Sequence, residues 1–125
     1  MSEIRATTIS DLAGTGPATL TGQYAAKAWV NFNGTGTVAI RESANVTSIT
    51  DIGTGTYTVN FTTAMLDANY AVAGFSTFAA NDAPASAFSA GSLYAPTTTS
   101  TTIKSSNTTS GGTQDSPYVN VTVTR

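Results

Sequence analysis

Residues 26–72 read AKAWVNFNGTGTVAIRESANVTSITDIGTGTYTVNFTTAMLDANYAV, and this stretch decides the fold class. Tyr57, Val59 and Phe61 fall on one side of an extended chain, and Thr58, Asn60 and Thr62 on the other. A period of two is the mark of a half-buried antiparallel strand. The same rhythm starts near Tyr24, where Ala28, Val30 and Phe32 alternate with Lys27, Trp29 and Asn31. Asn33-Gly34-Thr35-Gly36 then supplies hairpin turn chemistry. The chain is expected to return over 37–41, with Val38 and Ile40 pointing the same way. A third strand over 45–51 places Val46 and Ile49 three apart, a spacing that calls for a bulge. Gly53-Thr54-Gly55 turns into a fourth strand over 56–63. A polar turn at Asp67-Ala68-Asn69 leads to a fifth over 70–78, with Tyr70 and Val72 on one face.

Beyond this stretch the patterning thins. A weak strand is expected over 85–90 and another over 97–105, where Ile103 is the one large apolar residue. Residues 110–117 read as loop. Val119, Val121 and Val123 close the chain as a regular strand whose valines need cover, which predicts a central rather than a frayed strand. Upstream, residues 1–23 are irregular, and Gly14, Gly16 and Pro17 oppose a helix. They read as an extended arm ahead of one domain over 24–125. The expected fold is all-β: an antiparallel β-sandwich of about seven or eight short strands.

Composition narrows the function. The chain has 125 residues, a formal net charge of −2 and 10% charged residues. Leu, Ile, Val and Phe make up just under a fifth of it, and Thr alone roughly a fifth. So thin a core predicts that burial is completed between subunits. Histidine and cysteine are absent, which excludes His/Cys zinc sites, disulfides and His-based triads. Scattered cations and a pI near 4.6 give no footprint for nucleic acid. No apolar run reaches the length of a membrane span. Residues 34–39 formally match a dinucleotide fingerprint, but TVAIR continues as a strand where that motif needs a helix. Asp67, Asp82 and Asp115 sit in loops without the paired spacing of a glycosidase. No cofactor, metal site or catalytic group is expected.

The words KAWVNFNGTGTVAIR and ITDIGTGTYTVNFTTAMLDANYAV resemble a module found at the ends of bacteriophage tail-fibre proteins, and IRATTISDLAGTGPATLTGQ is similar to the lead-in such modules carry. The layout is also similar, in pattern only, to the H-type lectins. The resemblance implies a homotrimer in a virion, made in the bacterial host cytoplasm. It would act as a host-recognition tip without catalysis, joined to other virion proteins through residues 1–23. The alternative is a purely structural adaptor, head-decoration protein or trimerisation cap.

No resemblance extends past about Phe75, so specificity is expected in residues 77–96 and 110–117 rather than in the Gly-Thr-Gly turns. Phe78, Asn81, Asp82, Tyr94, Gln114 and Asp115 are the candidates for contact with a host glycan or protein. Trp29, Phe32, Tyr57, Val59, Phe61, Tyr70, Val119, Val121 and Val123 are expected to pack in the core or between subunits. Trp29, opposite Val30 and Phe32, is expected to meet a neighbouring subunit, with a sugar-stacking platform as the second reading.

Overall fold

The alternating stretches of the sequence form the strands of the described residues. A computed structural model describes residue 13 and residues 25–77, 86–90, 95–107 and 111–125, with 86–90 described by backbone alone. Among the described residues eight strands follow one another: β1 (Ala26–Asn33), β2 (Ala39–Ala44), β3 (Val46–Gly53), β4 (Thr56–Phe61), β5 (Ala71–Thr77), β6 (Ser86–Ala90), β7 (Ser100–Asn107) and β8 (Tyr118–Thr124). All pairings are antiparallel, in the order β2-β1-β8-β5-β6-β7-β4-β3. The second strand starts two residues later than expected, because 35–37 belong to the turn. The bulge in β3 is present: its register against β4 shifts between Val46 and Ser48, so Val46 and Ile49 both turn toward the core.

The order folds into a sandwich-like pair of layers, β2-β1-β8-β5 against β6-β7-β4-β3. At one margin the layers join through a single residue pair, Ser76 with Ser86. At the other, β2 runs straight into β3 through Asn45. Between them lies one apolar cluster, with Val30, Phe32, Val119, Val121 and Val123 from the first layer and Tyr57, Val59, Phe61 and Ile103 from the second. The Phe32 and Tyr57 rings meet edge to face at 5.1 Å, a favourable quadrupole geometry. Strand β8 is central, flanked by β1 and β5.

The alternating residues of β4 and β8 take the first of the two places expected for them, the core of this single chain, which covers twelve apolar side chains among the described residues. Their burial does not require a second subunit. Buried threonines and serines (Thr56, Thr101, Thr102, Ser76, Ser105 and Ser116) fill space that a richer chain would give to aliphatics. Counting aliphatics alone therefore underestimates this core.

Asn45 makes the β2–β3 corner. Its backbone is left-handed at φ 57°, a conformation Asn tolerates better than most residues. Its side-chain amide donates to the carbonyls of Lys27 (3.0 Å) and Thr63 (3.1 Å), and its Oδ1 accepts from the Thr63 N–H (2.7 Å). One side chain thus ties the start of β1 to the exit of β4 across the open margin.

Two predictions follow from this packing. Val59→Ala and Val121→Ala should each cost about 1–3 kcal/mol in denaturant unfolding, through lost transfer energy and a residual cavity. Asn45→Gly keeps the backbone conformation and loses the clamp, whereas Asn45→Ala loses both. Melting should rank wild type above Asn45→Gly above Asn45→Ala. Equal stability of the two variants would show that the left-handed corner costs nothing.

Candidate functional site

Three features compete for a functional role: the outer face of the β2-β1-β8-β5 layer, the sheet end where the Gly-Thr-Gly turns lie, and a cleft at the opposite end.

On the outer face, strand pairing sets the spacing. Asn31 pairs with Asn120, and Asn120 with Phe75; one step along, Trp29 pairs with Thr122, and Thr122 with Ala73. Trp29 is 38% exposed, Phe75 58% and Tyr118 52%. Phe75 and Tyr118 are diagonal neighbours at about 7–8 Å, and Trp29 and Phe75 stand two strands apart, about 10 Å in the pairing direction. Between them the Asn31 amide donates to Asn120 Oδ1 at 2.6 Å. Arg41 lies 4.2 Å over the Tyr118 ring, and its guanidinium donates to the Pro117 carbonyl at 2.7 Å and Asn31 Oδ1 at 3.4 Å. Isolated exposed aromatics are ordinary. Three around a pinned amide pair form a patch whose chemistry suits stacking on apolar ring faces combined with hydrogen bonding.

The turn end is a closed knot rather than an open site. The Tyr57 hydroxyl is fully buried and its proton is shared between the Gly34 carbonyl and Asp115 Oδ1, both at 2.9 Å. That same Oδ1 accepts from the Gly55 N–H at 2.7 Å. The Gly34 N–H donates to the Ser116 carbonyl, and the Gln114 N–H to the Ser105 carbonyl, both at 2.9 Å. Behind them runs a buried hydroxyl chain, Ser76 to Ser105 at 2.7 Å and Ser105 to Ser116 at 2.8 Å. Both turn glycines are sterically required: a Cβ on Gly34 would overlap the Tyr57 hydroxyl, and one on Gly55 the backbone of Ser105 and Gln114. Burial pushes the Tyr57 hydroxyl well above its ordinary range, with Asp115 adding to the shift, so it remains a neutral donor.

The cleft, about 470 Å³, is lined by Lys27, Asn45, Thr63, Ala64, Met65, Leu66 and Arg125. Arg125 pairs with Asp67, whose carboxyl is held below its usual range by the Asn69 N–H and by Arg125. The Asn45 amide is spent on the corner, leaving little polar chemistry directed at a ligand.

Of the expected contact residues, Phe78, Asn81, Asp82 and Tyr94 lie outside the described residues. Gln114 is half-buried, its Oε1 accepting from Asn107 at 3.3 Å, and Asp115 is committed to the knot. The Gly-Thr-Gly turns at 34–36 and 53–55 are packed against residues 114–116. Trp29 faces outward as its phase requires, Phe32 is buried, and Tyr70 packs edge to face on Phe61 at 5.8 Å. The expectations for the face stopped at Trp29. Tyr118 carried a signal, since it shares the polar phase of its strand with Asn120 and Thr122, whereas Phe75 shares its phase with Ala71, Ala73 and Thr77 and is marked only by lying opposite Val72.

Tyr57→Phe should destabilise the protein by about 1–3 kcal/mol near neutral pH by leaving buried acceptors unpaired. It should also flatten the alkaline limb. A raised folded-state pKa gives stability that is complete below the unfolded value and lost as pH rises above about 10. Urea titrations from neutral to alkaline pH check both effects.

No protein-family model, curated protein or solved structure matches this chain; the tail-fibre resemblance stands on the quoted sequence words.

Proposed function

We propose that this chain is a non-catalytic module of a bacteriophage virion, a fibre tip or related host-recognition element that adheres to a surface receptor as a homotrimer. The observation that carries the reading is the outer face, where Trp29, Phe75 and Tyr118 stand exposed around a hydrogen-bonded amide pair. Aromatic side chains left partly in water on a rigid sheet keep contact area for a partner, at little entropy cost. Among the described residues no group of three or more His, Cys, Asp or Glu side chains is placed to hold a metal. Weak contacts repeated on three copies would gain strength by avidity. Residues 1–23 supply the attachment to the rest of the particle.

A second reading, the structural cap, draws on the same face, because Trp29 and Phe75 can equally be covered by a neighbouring copy. Trp29→Ala and Phe75→Ala separate the two. Adhesion to host cells that falls about tenfold or more, with sedimentation still reporting a trimer, supports the tip. Dissociation to monomer supports the cap. A wild-type chain that sediments as a monomer overturns the trimer.

A further inference from the structure

Asn33 is the only asparagine followed by glycine in the chain. That dipeptide suits a tight turn and is also the one most prone to deamidation, because no side chain at the second position hinders attack by its backbone nitrogen. We infer that Asn33 is a deamidation site gated by the Tyr57 knot: hydrolysis by water is suppressed while the knot is closed and proceeds when it opens.

Both reacting groups are held. The attacking atom is the Gly34 nitrogen, whose N–H donates to the Ser116 carbonyl at 2.9 Å in a buried position. The Gly34 carbonyl accepts from the Tyr57 hydroxyl, so both backbone polar groups of this residue are held. The group under attack is the Asn33 side-chain amide. Its nitrogen donates to the Thr35 carbonyl at 2.9 Å, and its Oδ1 accepts from the Thr35 N–H at 3.2 Å and hydroxyl at 2.8 Å. For reaction, Gly34 must leave Ser116 and give its proton to hydroxide. Its nitrogen bonds to Asn33 Cγ, the amide NH2 takes a proton back from water and departs as ammonia, and a second water then opens the succinimide to aspartate or isoaspartate. The product has lost the amide donor to Thr35 and gained a carboxylate at the hairpin. Turn chemistry and the tight fit at Gly34 fix a labile dipeptide here, and the knot that demands the glycine also shields it.

The test is ageing of the full chain at mildly alkaline pH beside a synthetic peptide of residues 29–40, followed by intact mass and peptide mapping. The folded chain should gain its extra mass unit about tenfold or more slowly than the peptide, in keeping with reaction through local opening, and the gain should map to Asn33. Tyr57→Phe, shown by circular dichroism to be folded, should react several-fold faster than wild type, and Asn33→Ser should not gain the mass. Should Tyr57→Phe fail to fold, wild type in sub-denaturing urea replaces it: its rate must rise in step with hydrogen exchange of the Gly34 amide. Reaction of the folded chain at the peptide's rate would overturn the inference. So would modification centred on another asparagine, or a rate indifferent to Tyr57→Phe or to urea.

Discussion

A single buried phenol holds this sandwich closed at one end. Tyr57 lies on β4, in the layer opposite β1 and β8, yet its hydroxyl reaches the β1–β2 turn at Gly34 and the segment before β8 at Asp115. Without those partners, the phenol would be a polar group stranded in an apolar interior, a costly arrangement. With them, four chain segments are fixed relative to one another: both glycine turns, residues 114–116, and β4 itself. The ring contributes as well, set edge-on against Phe32. The same side chain thus anchors the core by its face and closes the end of the sandwich by its tip.

The other margin solves the matching problem differently. There the sheet order ends at β2 and β3, consecutive in the chain and placed on different layers, so the backbone must turn sharply with no loop to spare. Asn45 supplies the left-handed turn and its own hydrogen bonds. At the remaining join, β5 and β6 share one residue pair, and the serine hydroxyl chain from Ser76 to Ser105 and Ser116 bridges β5, β7 and the segment before β8. Aliphatic residues build the middle of the sandwich and polar contacts build its ends.

That division explains what could be read in advance. Alternation is a local property, so strand phase, the inward set of β4 and β8, the bulge in β3 and the central place of β8 were all legible. The closing contacts are long-range: Tyr57 to Asp115 spans 58 positions and Ser76 to Ser105 spans 29. In a chain so rich in Ser, Thr and Asn, nothing local separates a buried serine from a solvated one. Asp115 shows the consequence. In a loop, beside Gln114 and near a glycine pair, it has every local mark of a surface contact residue, and only the partner 58 positions away reveals its structural role. Tyr118 is the reverse case, a surface aromatic legible from its polar phase alone.

The knot and the outer face are also one continuous piece of chain. Asp115 holds Tyr57 and Gly55, Ser116 holds Gly34 and Ser105, the Pro117 carbonyl accepts from Arg41, and Tyr118 lies beneath that same guanidinium. Four consecutive residues therefore carry the constraint from the buried end of the sandwich to the exposed face. An exposed tyrosine at a strand terminus would ordinarily sample several rotamers and lose that freedom on contact. Here the backbone below it is fixed by the knot and the ring is covered on one side by Arg41, so part of that loss is already met in the free protein. Trp29 and Phe75 gain similar order from their places within paired strands. A face arranged in this way is stiff before anything touches it, which suits recognition by shape and stacking more than recognition by adaptation.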